Sequence, residues 1–283
     1  MKNGEQPIGV FDSGVGGLTV ARAIQTKLPY ESVVYFGDRA RCPYGDLSTE
    51  DVTRYAVEIA QFLLEQRVKC IVVACNTATA AALPTLQRMF SVPVLGVIKP
   101  GAHAAVTASQ SGKIGVIGTS VTIGSHAYQT AIRELAPDIE VYEHACPAFV
   151  PLVEQGLFDG AVVEHTVRTS LEVFKSTEID TLVLGCTHYP LLAGVIRRAM
   201  GPAVSVISSA DATASAVESM LAAREMQNRS LAMPTHTYFT TGDGSKMRLA
   251  LANWFSASVK AEAVTQVTLP LSSRQQIQRV IVQ

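Results

Sequence analysis

The feature that most constrains this sequence is an internal repeat of strand-like phrases. Ile8-Gly9-Val10-Phe11-Asp12-Ser13 aligns with Ile114-Gly115-Val116-Ile117-Gly118-Thr119 at an offset of 106 residues. Val72-Val73-Ala74-Cys75-Asn76-Thr77 aligns with Val183-Leu184-Gly185-Cys186-Thr187-His188 at 111, and Val94-Leu95-Gly96-Val97 with Val204-Ser205-Val206-Ile207 at 110. Each phrase alone is common; three in the same order at nearly one offset point to two copies of one unit. Helical patterns lie between them, such as Leu18 to Leu28 and Ser48 to Gln66, the latter opened by Ser48 with Asp51 at capping-box spacing. Short β-branched runs alternating with helices predict parallel sheets covered by helices. The expected fold class is α/β, with two pseudo-symmetric parallel-sheet βα domains and the active site in the cleft between them. A helical stretch from Ala212 to Met226, a strand near Tyr238 to Thr240 and a helix from Met247 to Phe255 follow the second copy. The expected division is therefore 1–98, completed by 208–283 returning to it, and 99–207, with chain crossings near 98 and 208 acting as a hinge.

Charge and cysteine usage narrow the function. With 23 Lys+Arg against 24 Asp+Glu, and no basic stripe, the chain is not built to follow a nucleic-acid backbone. Its longest apolar runs, such as Ile71 to Cys75, fall far short of the ~20 residues of a membrane span. Met1-Lys2-Asn3-Gly4-Glu5 leads into no signal-like stretch, so a cytoplasmic location is expected. Five cysteines without a C-x-x-C pair fit neither a disulfide framework nor a zinc ribbon.

In parallel sheets, ligands gather at the carboxyl ends of the strands. The first strand is followed by Asp12-Ser13-Gly14-Val15-Gly16-Gly17, a turn whose glycines suit either an anion at a helix start or a plain tight connection. The second is followed by Gly37-Asp38-Arg39-Ala40-Arg41-Cys42-Pro43-Tyr44-Gly45. The third strand of each copy ends in a cysteine followed by small hydrogen-bonding residues, Cys75-Asn76-Thr77 and Cys186-Thr187-His188. Two thiols at equivalent positions of two facing domains suit a reaction that takes a proton from one face of a carbon and returns it to the other. Their ordinary pKa of ~8.5 is expected to fall beside helix N-termini and hydrogen-bond donors. Asp12 and His188 are candidate assistants, one in each half. A zinc site on Cys75, Cys186 and His188 lacks a further ligand at metal-like spacing, and a Cys75–Cys186 disulfide would be unusual in the cytosol. Cys42, Cys70 and Cys146 have no counterparts and read as packing residues.

These motifs, together with Pro43-Tyr44-Gly45, Val73 to Ala80, Cys146 to Glu154 and Gly185 to Leu192, resemble those of the bacterial glutamate racemases along essentially the whole chain. The wider aspartate/glutamate racemase superfamily shares the paired cysteines but not this combination. The resemblance implies a cofactor-independent isomerase that interconverts L- and D-glutamate, supplying the D-isomer for peptidoglycan. It implies Cys75 as the base toward D-glutamate and Cys186 toward L-glutamate, with Asp12 supporting the first, His188 the second, and Glu154 in the polar surroundings of the latter. Asp12, Ser13, Tyr44, Gly45, Asn76, Thr77, Thr187 and His188 match its substrate-binding positions. Arg39, Lys99 and Val121 depart from the usual pattern, and the absence of an N-terminal extension leads us to expect no requirement for a cell-wall-precursor activator. A homodimer is expected, although dimer arrangements vary among such enzymes. The alternatives are an aspartate or hydantoin racemase and a non-catalytic small-ligand-binding protein.

Overall fold

A computed structural model describes residues 3–254 and 264–269. The first elements are β1 (Ile8–Asp12), α1 (Leu18–Lys27), β2 (Val33–Gly37), α2 (Thr49–Glu65), β3 (Cys70–Val73), α3 (Asn76–Met89), β4 (Val94–Gly96) and α4 (Ile98–Ala108). There follow β5 (Lys113–Gly118), α5 (Ser120–Gly124), α6 (Ala127–Leu135), β6 (Glu140–Ala145), α7 (Phe149–Glu154), α8 (Ala161–Leu171), β7 (Thr181–Gly185), α9 (Ala193–Met200) and β8 (Ser205–Ser208). The last described elements are α10 (Ser209–Ala223), β9 (His236–Thr240), α11 (Gly244–Trp254) and β10 (Val264–Gln266). Phe255, the expected end of the last helix, lies outside the described residues, as do 270–283.

The strands form two parallel sheets, ordered β10-β9-β2-β1-β3-β4 and β6-β5-β7-β8. Four strands of the first sheet and all four of the second share one order, so the fold is α/β with the duplication that the repeated phrases predict. The chain returns to the first sheet after β8, with β9 pairing along β2 from Val33↔His236 to Gly37↔Thr240.

Alternation with period two sends successive strand residues to opposite faces. Ile8, Val10, Val33, Tyr35 and Val72 join one core with residues of α1, α10 and α11; Phe11, Val34, Phe36, Ile71 and Val73 join another with residues of α2 and α3. In the second sheet Ile117, Leu182 and Leu184 pack with residues of α7, α8 and α9, and Ile114, Val116 and Val183 with residues of α4 and α6. Burial on both faces is why β1, β2, β3 and β7 read as unbroken apolar runs, whereas β6 is an edge strand and partly exposed.

Helix ends follow local chemistry. Ser48 caps α2, its hydroxyl accepting from the Asp51 N–H at 3.1 Å, a contact of about 1 kcal/mol. Helix α10 starts and stops three residues before the expected bounds: Ser208 caps it by accepting from the Ala210 N–H, and Glu225, with φ +54°, turns the chain away. At the amino end of the first sheet, Lys69 is buried with its Nζ 2.5 Å from a Glu31 carboxylate oxygen and 2.8 Å from the carbonyls of Gly4 and Met226. No helix among the described residues is long and apolar enough to cross a membrane.

Candidate active site

In the order β2-β1-β3-β4 the chain reverses direction across the sheet between β1 and β3, and in β6-β5-β7-β8 between β5 and β7. Loops leaving adjacent strands diverge at such points and leave a crevice at their carboxyl ends. Register places Asp12 beside Gly37, and Gly118 beside Gly185, so the residues that follow converge: Ser13, Asp38 and Cys75 on one sheet, Thr119 and Cys186 on the other. A cavity of about 20 Å³, room for about one water molecule, is lined by Ser13, Tyr44, Gly45, Cys75, Asn76, Thr77, Cys186, Thr187 and His188 from the expected set, together with Pro43, Thr119 and Val150. Both thiols therefore face one space, with polar groups of both sheets around it.

The glycine loop has a different purpose from the anion turn considered in the sequence. Its N–H groups serve the chain's own carboxylate, since Gly14 N–H donates to Asp12 Oδ2 at 3.0 Å. Gly16 permits close approach of the two halves, because a Cβ there would lie 2.6 Å from Thr187 Oγ1 and 2.8 Å from His188 Nδ1. Gly45 does the same on the other side, where a Cβ would lie 2.9 Å from Thr119 Cβ. Hydrogen bonds cross at the same level: Thr187 Oγ1 donates to Asp12 Oδ1 at 3.1 Å, Thr77 and Thr119 hydroxyls are 2.9 Å apart, and Tyr128 donates to Asn76 Oδ1 at 2.8 Å. Asn76 lines the cavity, and its Nδ2 is a buried donor without a partner.

The two thiols have unequal surroundings. Cys75 caps α3 and accepts from the Ala78 N–H at 3.4 Å, with Ser13 Oγ 3.7 Å away. The helix start was expected to lower its pKa; instead burial, reinforced by the charge of Asp12, pushes the thiol up to about 12. Desolvation outweighs one backbone donor here. Burial also raises Asp12, against the opposing charge of His188 and the Gly17 and Gly14 N–H groups. On the other side Cys186 Sγ lies 3.8 Å from His188 Nδ1, and His188 Nε2 lies 2.9 Å from Glu154 Oε1. Burial opposes a charged ring at His188, but hydrogen bonds with Cys186 and Glu154 and the charge of Asp12 prevail and raise it to about 10. Burial likewise opposes a charged Glu154, yet the His188 and Arg39 contacts bring it down to about 2. Both shifts favour an imidazolium paired with a carboxylate.

Asp12 and Glu154 stand behind the lining, hydrogen-bonded to Thr187 and His188 rather than exposed to the cavity. Tyr44 is buried with its hydroxyl donating to Asp38, whose other oxygen accepts from Thr241 at 2.6 Å. Thr119 and Thr122 are the residues that motif reading passed over, although Thr119 is the repeat counterpart of Ser13. The loop around Val121 forms a capped turn in which Thr119 accepts from the Thr122 N–H at 3.3 Å. Lys99 makes an exposed ion pair with Glu134. Cys70 and Cys146 are core residues, whereas Cys42 packs against Gly14 outside the core clusters. All five cysteines are free thiols, and no three metal-ligating side chains converge among the described residues. A larger cavity, about 650 Å³, lies among α3, α4, α6 and α10 and contains none of the expected site residues.

A thiol from each of two duplicated sheets lines one small cavity, and the profile of the Asp/Glu/Hydantoin racemase family matches residues 18–217, which places the chain in a class of amino-acid racemases. Glutamate racemase of Geobacter metallireducens is 50% identical over 234 residues, 83% of this chain and 87% of the relative. The crystal structure of glutamate racemase isoform RacE1 from Bacillus anthracis superposes with a TM-score of 0.90 at 45% identity, covering 94% of this chain and 99% of that one. That of the Francisella tularensis enzyme in complex with D-glutamate gives 0.87 at 34%, covering 94% and 98%. This chain belongs to the glutamate racemase family and is an isomerase.

Proposed function

We propose that this chain interconverts L- and D-glutamate by proton transfer between two thiols. Toward L-glutamate, Cys186 thiolate takes the α-proton and Cys75 thiol delivers its own to the opposite face; the product is D-glutamate, with Cys186 now a thiol and Cys75 a thiolate. The reverse reaction exchanges the roles. The observation that carries this reading is the convergence of Cys75 and Cys186, from equivalent strand ends, on one cavity. An α-proton is a far weaker acid than a thiol, so the transition state needs charge stabilisation. Asn76 Nδ2 and the hydroxyls of Ser13 and Thr77 are donors placed to hold substrate carboxylates as charge builds, while Thr187, donating to Asp12, joins the two halves behind them. Asp12 acts through Cys75 and Thr187, and Glu154 through His188. The small cavity requires the loops from the two sheets to part for entry and to close again, excluding water during reaction.

The same reading takes 1–98 with 208–283, and 99–207, as the two moving units, and places the enzyme in the cytoplasm as a homodimer supplying D-glutamate to peptidoglycan synthesis. The test is α-proton exchange in deuterated water with each enantiomer of glutamate, and with aspartate for comparison. Glutamate should exchange and racemise, and Cys75→Ala and Cys186→Ala should each lose at least about 10³-fold in racemisation. Full turnover by either variant, or preferred exchange of aspartate, would overturn the proposal.

A further inference from the structure

We propose that Arg39 is a positioning residue of this site: it reaches from the loop after β2 across to the end of α7 and fixes the Glu154 carboxylate in the orientation that holds His188. The inference rests on the racemase reading above and adds to it a residue from the opposite sheet.

Arg39 Nη1 lies 3.1 Å from Glu154 Oε2, while Oε1 of the same carboxylate lies 2.9 Å from His188 Nε2. Each oxygen thus has its own cation. Glu154 needs such an anchor, because it ends a six-residue helix, lies two residues before Gly156 at φ +76°, and keeps 21% of its side chain exposed. Without a second contact its carboxylate has water to turn to. Arg39 can supply that contact from a fixed base, since its side chain is only 9% exposed and its loop is held from the returning segment, where Ala40 N–H donates to Thr241 Oγ1 at 3.1 Å. A Cβ on neighbouring Gly242 would lie 2.8 Å from Arg39 Cβ, so the backbone there is closely packed. A guanidinium fixed at its base loses little freedom in making the contact.

Positioning and simple charge predict opposite signs. The charged or titratable groups facing His188 are Cys186, Glu154 and Asp12, and those facing Glu154 are His188, Arg39 and Cys42. If Arg39 contributed only positive charge, its removal would make His188 hold its proton more tightly. If it positions Glu154, removal frees the carboxylate and His188 holds its proton less tightly.

The experiment is a double-mutant cycle on the full chain with Arg39→Met, Glu154→Gln and the double variant, plus Arg39→Lys. It measures kcat and KM for both enantiomers, their pH dependence and the thermal midpoint. Arg39→Met should lower kcat/KM about tenfold, mainly through kcat, and move the alkaline limb to lower pH; in the Glu154→Gln background it should change kcat/KM by less than about twofold. Arg39→Lys should recover part of the loss. Independent effects in the double variant, an alkaline limb that stays or moves upward, or Arg39→Lys no better than Arg39→Met would overturn the proposal. If Arg39→Met does not fold, Arg39→Gln takes its place in the cycle. A wild-type chain that does not racemise glutamate would instead overturn the racemase reading.

Discussion

Replacing Glu154 by Gln removes one charge and leaves shape and acceptor in place, which isolates the electrostatic part of the His188 pairing. In the intact site His188 is raised from 6.5 to about 10, with burial acting against its charge, and Glu154 is lowered from 4.5 to about 2. An opposite charge at this range is worth about 1–3 pKa units, or about 1–4 kcal/mol. His188 in Glu154→Gln should therefore titrate about 1–3 units lower, its remaining elevation coming from Cys186 and Asp12. A raised histidine contributes stability that is complete below its unfolded value of 6.5 and is lost as pH rises through about 10. A lowered carboxylate contributes stability that is complete above 4.5 and is lost as pH falls through about 2. The wild type should therefore exceed the variant most between pH 4.5 and 6.5. Imidazole-ring NMR measures the titration and thermal melts across pH measure the stability. If the imidazolium sustains the Cys186 thiolate, kcat/KM should fall about 10–100-fold. The enantiomers have equal free energy, so that loss must be equal in the two directions and any asymmetry must appear in kcat and KM separately. A folded variant whose His188 still titrates near 10 would refute the reasoning.

Two further substitutions probe the frame around the site. Gly16→Ala places a methyl against Thr187 and His188 and should raise KM and cost about 1–3 kcal/mol, read by kinetics and denaturant melts; a neutral result would show that the two halves do not meet there as closely as described. Lys69→Met strips the buried Glu31 of its cation at the far end of the sheet and should cost about 3–5 kcal/mol while leaving kcat of the folded enzyme unchanged; a drop in kcat at full folding would tie that end of the sheet to the site.

The strands, the two sheets and both cysteines were legible because they depend on local pattern. Buried parallel strands are apolar throughout, and whatever follows them lies at the carboxyl edge, so Cys75 and Cys186 could be placed without knowing any long-range contact. β6 was harder: as an edge strand it carries Glu140, Glu143 and His144, which obscure the period. The function of Gly16 was hidden for another reason, since its constraint comes from Thr187 and His188, which reach it only after the two sheets face each other. Arg39 and Glu154 are 115 residues apart, and no spacing rule links them. The Cys75 thiol shows the limit most directly. A helix start is visible in sequence and argues for a lowered pKa, but desolvation is set by everything packed around the sulfur and it acts in the opposite direction.

The duplication supplies two thiols in equivalent places, and the departures from symmetry then give them unlike neighbours. Beside Cys75 stands Asp12, and burial with that carboxylate keeps the sulfur protonated. Beside Cys186 stands His188, whose charge is sustained partly by that same sulfur and partly by Glu154. A perfectly symmetric pair would spread its population over both proton arrangements, and each substrate enantiomer would meet the wrong one half the time. The surroundings of Cys75 hold it as the proton-bearing thiol, while His188 brings a positive charge beside Cys186. On the proposed roles this form is prepared to receive L-glutamate. It cannot shift the equilibrium between enantiomers, which have equal free energy, but it determines the form from which each turnover starts. On the same roles, converting L-glutamate leaves Cys75 as a thiolate beside Asp12, which its surroundings oppose, and a proton must return to it before the next L-glutamate reacts. On the proposed mechanism the acidic and basic neighbours that make the halves unlike are therefore as much a part of the reaction as the cysteines that make them alike.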